Sequence, residues 1–267
     1  MRAAGPRPSV TGVDDRPPAL VTLHVFGVPR ASVGAAVAHI ALDRRPLRTA
    51  PGLRFAKLLG TGRGRTFTLR DADPRHWAVL AAWDTVDAAE AFEQSSTMRG
   101  WRRRSTEQVR VAMRPLWSTG AWSGRRPFGE PTPIAWDGPV AALTRARVRQ
   151  SRSGEFWAAV PHVNEALHRA PGLRAAIGIG DAPLVLMGTF SVWDSRADLR
   201  RFAYGTAAHR AVIRRTAERG WHVEDLFARF AVLHTAGTLH GRDLGRAAAR
   251  RPPTRHADPA SLAGEAR

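Results

Sequence analysis

The chain has 267 residues, with 41 Lys+Arg against 23 Asp+Glu and a formal charge of +18. Its 43% apolar and 24% charged residues are the proportions of a folded globular protein, long enough for one large domain or two small ones. It has no cysteine, which excludes disulfides, Cys-bearing zinc sites, iron–sulfur clusters, thiol nucleophiles and thiolate-ligated haem.

Residues 1–19 are rich in Pro, Gly and Arg and read as a disordered tail. Val21–Val28 predicts a strand and Ser32–Leu42 a helix. Two strands follow around the glycine turn LLGTGRG from Leu58, the second holding the apolar run Trp77–Trp83. A helical stretch with Phe92, a closing strand and the small-residue turn STGAWSG from Ser118 complete this half. Residues 125–138 contain three prolines and two glycines and read as a linker. The second half predicts a strand over Val140–Val148 and a helix over Ser153–Leu167, interrupted at Pro161. Strands around IGIGD from Ile177 lead to a helix opened by Ser195, with Asp198 in its first turn. A strand over Phe227–Leu233, the turn TAGTLHG from Thr235 and a disordered tail over 242–267 end the chain.

The two halves resemble each other. APGLR occurs at 50–54 and again at 170–174, and the strands after the glycine turns end in Trp83-Asp84 and Trp193-Asp194. Phe92 and Phe202 stand equally far beyond, and each half closes on a small-residue turn. The landmarks share one order, so the chain reads as a duplication, with repeats over 20–124 and 139–241. Each repeat has the order β-α-β-β-α-β, the ferredoxin-like split. The predicted fold is α+β: two ferredoxin-like repeats fused as an intramolecular dimeric α/β barrel, enclosing a largely apolar cavity.

The charge carries less information. Lys57 is the only lysine, so arginine coding bias accounts for the excess as well as a selected surface does. Arg99, Arg102, Arg103 and Arg104 around Trp101 form the densest basic cluster and read as a solvated helix face. No nucleic-acid module accompanies the charge, and no nucleic-acid partner is expected. No run approaches the ~18–20 apolar residues of a membrane span, and the first ten residues lack the apolar core of a signal peptide. The chain reads as cytoplasmic, at most peripheral to the inner face of the cell membrane.

Among ten histidines, His209 stands out. It continues the apolar stripe Leu199, Phe202, His209, Ile213, and the corresponding position of the first repeat is Arg99. Either a core histidine bonded to a backbone carbonyl or a ligand or acid/base group fits that position. Trp193 and Trp221 abut strand or helix ends, where flat side chains line apolar pockets, and core packing accounts for them equally well. His24 and His234 fall in predicted strands, and His39, His76, His222 and His240 near element ends. No His-x-x-x-His pair is present, and no local signal indicates a two-His, one-carboxylate triad. The run GTGRG at 60–64 lacks the Lys-Ser/Thr of a phosphate loop and reads as a β-turn. No G-x-S-x-G nucleophile elbow occurs.

Several blocks resemble the spheroidene monooxygenase family of carotenoid oxygenases, over about Val21 to Gly241. They are RRPLRTAPGLRFAKLLGTG (44–62), GAWSGRRPF (120–128), AALTRA (141–146), FWxxVP (156–161), IGIGxxP (177–183), TFSVW (189–193), His209, Gly220-Trp221 and ARF (228–230). Leu239 departs from the pattern, standing where the closing turn often carries tryptophan. The resemblance implies an oxygen-dependent monooxygenase of carotenoid biosynthesis that forms a ketone at C2 of an acyclic carotenoid. It further implies a haem iron, O2 and a ferredoxin-type electron donor. It makes His209 the catalytic and axial metal ligand, with Trp193, Phe202 and Trp221 as aromatic residues beside the cofactor. Alternatives are a haem-degrading or cofactor-free small-molecule oxygenase, or a non-catalytic haem- or pigment-binding protein.

Overall fold

A computed structural model describes residues 15–62, 71–148, 165–181, 188–205 and 222–246. In the first repeat, β1 (Leu20–Gly27) is followed by α1 (Val33–Leu42), α2 (Arg44–Arg48), β2 (Leu53–Gly62) and β3 (Ala72–Trp83). Then come α3 (Val86–Glu93), α4 (Ser96–Arg104) and β4 (Glu107–Gly120). The second repeat contains β5 (Val140–Val148), β6 (Leu173–Gly180), β7 (Gly188–Trp193), α5 (Arg196–Gly205), β8 (His222–Leu239) and β9 (Arg242–Asp243). Residues 165–169 are helical, and the rest of the helix predicted over Ser153–Leu167 lies outside the described residues.

All but one of the strands close into a ring in the order β4-β1-β3-β2-β6-β7-β5-β8, with β8 pairing back to β4 and β9 added at its edge. This is the predicted α+β barrel of two fused ferredoxin-like repeats. Alternation along each strand sorts the side chains. Val21, Leu23 and Val25 face the barrel interior, while Leu20 and Phe26 join the layer beneath the helices of the first repeat. Every residue of β1 is therefore buried. Thr85 and Ser95 cap α3 and α4 by accepting the N–H of Ala88 and Met98, and Ser195 caps α5 through Asp198 N–H. Arg102, Arg103 and Arg104 occupy the last turn of α4, where cations suit the helix dipole.

The sequence repeats recur as physical devices. Gly52 and Gly172 adopt φ of +70° and +80°, and their carbonyls accept the N–H of Asp84 and Asp194. Arg54 pairs with Asp84 at 2.9 Å and Arg174 with Asp194 at 2.8 Å. Trp83 packs on Phe92 at 5.1 Å, and Trp193 on Phe202 at 5.3 Å.

Two expectations are corrected. The barrel interior is packed rather than hollow: Trp122, Phe128 and Phe230 fill it together with the aliphatic strand residues. Phe128 comes from the stretch read as a linker, and Leu244, beyond position 241, is also buried there. Among the described residues the interior keeps a void of about 10 Å³, room for one water at most. Gly60 and Gly62 do not form a turn but extend β2, where they pair with Gly180 and Gly178 across the seam between repeats. Small residues there let the two backbones meet. No described helix is long and apolar enough to cross a membrane.

Candidate functional site

The two repeats share a frame and differ in what fills it. On the helix-facing side of the first repeat, one row across the sheet reads Leu58, Val79, His24, Arg110. The equivalent row of the second repeat reads Gly178, Thr189, Thr144, Phe227. Phe26, next to His24 on that face, becomes Ala146. Val79 and His24 are buried, whereas Thr144 is exposed and Thr189 and Phe227 are half-buried. In the first repeat Met98 and Trp101 of α4 cover the face, and Trp101 stacks on Phe26 at 5.5 Å. Among the described residues, the second repeat thus carries Gly178, Thr189, Thr144 and Ala146 where the first carries Leu58, Val79, His24 and Phe26, with Phe227 in the place of Arg110.

Trp193 and Phe202 border this face. Trp193 lies in the row formed with Val140 and Leu173, and its Nε1 donates to Ser191 Oγ at 2.9 Å. Because Trp83 and Phe92 make the same contact over a filled layer, this packing belongs to the repeat itself. His209 and Trp221 lie outside the described residues. Arg99, at the position corresponding to His209, is exposed and donates to the Gln94 carbonyl.

His24 belongs to a buried polar cluster. Its Nε2 is 2.8 Å from Glu93 Oε1, and Glu93 also meets Arg102 and, at 3.1 Å, Arg110. Burial holds His24 below its ordinary pKa of 6.5 despite the upward pull of Glu93. Burial would raise the Glu93 pKa, but the His24 hydrogen bond and the charges of His24, Arg110 and Arg102 hold it below 4.5. Both shifts have the same sign for stability. The unfolded chain takes up a proton at His24 below pH 6.5 that the folded chain resists, and Glu93 adds a second loss below 4.5. The stability that this pair contributes is expected to fall between about pH 7 and 5, opposed by His76, whose pKa is raised, and His24→Leu is expected to reduce the acid-side slope of the melting temperature. An unchanged slope in the variant would assign the acid sensitivity elsewhere.

Two further clusters occupy the barrel mouths, at equivalent places in the two repeats. At one, Glu224 accepts the N–H groups of Ser123 and Gly124 at 3.1 and 2.7 Å. Arg145, with only 5% of its side chain exposed, reaches Glu224 at 2.6 Å and Asp181 at 3.1 Å. Its guanidinium lies 5.1 Å over the Trp122 ring, and Trp122 Nε1 donates to Asp181. Lys57 adds contacts to Ser123 Oγ at 2.8 Å and Asp181 at 3.4 Å. Burial would raise the Glu224 pKa, but the Gly124 N–H, Arg145 and the Ser123 N–H hold it down.

At the other mouth, Glu107 accepts the N–H groups of His240 and Gly241 at 3.1 and 2.7 Å, and Thr238 Oγ1 at 3.0 Å. His76 lies between two carboxylates, with Nδ1 at 2.8 Å from Asp73 and Nε2 at 3.1 Å from Glu107. Burial would lower its pKa, but those two partners raise it above 6.5. The His240 ring is 4.6 Å away. Gly27 makes this approach feasible, since a Cβ there would stand 2.8 Å from His76 Nε2. Sequence reading missed both mouths. The available signal was that Glu107 and Glu224 stand equally far before their turn glycines, Gly120 and Gly237.

Comparison with known proteins gives the family. The chain is 38% identical over 213 residues to spheroidene monooxygenase of Rhodobacter capsulatus, covering 78% of this chain and 87% of that one. Against spheroidene monooxygenase of Rubrivivax gelatinosus it is 39% identical over 202 residues, covering 75% and 77%. The chain belongs to the spheroidene monooxygenase family. It is an oxidoreductase, as the monooxygenase relatives indicate. No protein-family model matches it. Among solved structures, an aldoxime dehydratase matches over 80% of each chain with a TM-score of 0.51 and 12% identity. A second aldoxime dehydratase, in complex with butyraldoxime, covers 80% of this chain and 79% of its own, with a TM-score of 0.52 and 11% identity. At that identity the likeness shows the fold alone.

Proposed function

We propose that this enzyme is an oxygen-dependent monooxygenase of carotenoid biosynthesis that places a keto group at C2 of an acyclic, spheroidene-type carotenoid. Family membership supports the substrate class, and the small-residue floor of the second repeat is the observation that carries the site. A haem needs a flat, apolar bed next to a ligand helix. Gly178, Thr189, Thr144 and Ala146 present small, uncharged side chains where the first repeat has Leu58, Val79, His24 and Phe26. The residues present therefore fit the group. α5 packs against β5 and β7 and ends at Gly205, four residues before His209 in the sequence.

On this reading His209 holds the haem iron, and Trp193 and Phe202 wall one end of the bed, with Trp221 as a further aromatic neighbour. Bound haem would supply the oxygen activation. The protein contributes position. Apolar side chains orient a hydrocarbon end that offers no polar handle, and they keep water from the reacting carbon. A ferredoxin-type donor supplies electrons, and the net charge of +18 favours an acidic partner or an anionic lipid surface near the membrane-dissolved substrate.

Expression in cells that accumulate spheroidene, followed by mass analysis of the pigments, tests this reading. The expected product carries a C2 ketone and oxygen derived from O2. Pigment that is bound and recovered unchanged would make the protein a carrier.

A further inference from the structure

We propose that the barrel mouth formed by β3, β4 and the β8–β9 turn binds a divalent transition-metal ion, with Asp73, His76 and His240 as ligands. This site is separate from the helix-facing floor of the second repeat and does not depend on the function proposed for it. Asp73, His76 and His240 each offer a ligand atom, all within 4.8 Å of one another. Two imidazoles and one carboxylate form a mixed N/O set that suits zinc, iron or cobalt rather than calcium or magnesium. Around a tetrahedral ion with bonds near 2.0–2.1 Å, neighbouring ligand atoms stand about 3.3 Å apart. Asp73 Oδ2 and His76 Nδ1, now 2.8 Å apart, would need to separate by only a few tenths of an ångström.

Glu107 supplies the second requirement. A metal-bound imidazole presents its other ring nitrogen to a carboxylate or carbonyl that fixes its tautomer. Glu107 Oε2 stands 3.1 Å from His76 Nε2, which leaves Nδ1 for the ion. Glu107 is itself fixed by Thr238 Oγ1 and the N–H groups of His240 and Gly241. The opposite mouth serves as an internal comparison. It keeps the same glutamate clamp on the turn at Ser123-Gly124, but Arg145 takes the place of the imidazole partner and Ser123 stands where His240 does. Among the described residues, only this mouth sets metal-competent ligands on a clamp common to both. The ligands come from both repeats, so the ion would tie β3 of the first to the closing turn of the second.

The test uses the full chain as purified, stripped with EDTA, which leaves porphyrin-bound iron in place, and titrated with Co2+ or Zn2+. One equivalent should bind, with Co2+ giving visible d–d bands and a raised melting temperature. His240→Asn is the clean variant, because His240 is exposed and its φ of +51° is tolerated by asparagine. It should weaken binding at least about 100-fold, and Glu107→Gln about 10- to 100-fold. Absence of binding to the stripped protein, or equal affinity in His240→Asn, would overturn the assignment. Should Glu107→Gln lose structure, His240→Asn still decides the question.

Discussion

Thr144→Phe is expected to abolish haem retention while leaving the barrel folded. Thr144 is exposed on the helix-facing side of β5, away from the seam between repeats, at the place where the first repeat carries His24. A phenyl ring there would stand beside Thr189, on the face proposed to receive the haem. The Soret band of the purified protein and its carotenoid turnover should both be lost, with circular dichroism unchanged. His209→Ala is expected to have the same two effects by the other route, removing the ligand rather than the bed. Losing both signals in the two variants would locate the cofactor between the floor and the segment after α5. Full Soret intensity in Thr144→Phe would place it elsewhere.

The second large effect concerns stability. Arg145→Met leaves Glu224 and Asp181 without the guanidinium that joins them, in a mouth where Arg145 is almost fully covered. Breaking a buried ion pair costs about 3–5 kcal/mol, and the partial exposure of both carboxylates favours the lower end. At about 2–4 °C per kcal/mol for a domain of this size, the melting temperature should fall by roughly 6–12 °C. Denaturant titration provides the check. A loss under about 1 kcal/mol would mean that water or Lys57 takes over the role of Arg145.

Local pattern carried much of the fold. The repeated APGLR corresponds to a glycine with positive φ, a backbone bond from the residue after Trp, and an Arg–Asp pair, all in both halves. Such devices are written in contiguous residues. The mouths are not. Asp73, His76, Glu107 and His240 lie on three elements that meet only through the register of β3, β1, β4 and β8. Reading the histidines singly therefore left His76 as an element-end residue. The packed interior was hidden for a related reason: Trp122 and Phe128 come from irregular chain, where no periodicity marks a residue as inward. The row of smaller side chains in the second repeat was legible only by laying one repeat over the other once the sheet registers were known.

The contrast between the helix layers has a consequence for how the molecule tolerates change. A single-copy barrel must draw its rigidity and its working surface from the same side chains. Here the first copy holds Trp77, Trp83, Trp101 and Phe26 in one buried layer, while the second carries Gly178, Thr189, Thr144 and Ala146 where the first has Leu58, Val79, His24 and Phe26. On the proposed function, duplication separates the two duties: one half acts as ballast, and its twin is free to be shaped by chemistry.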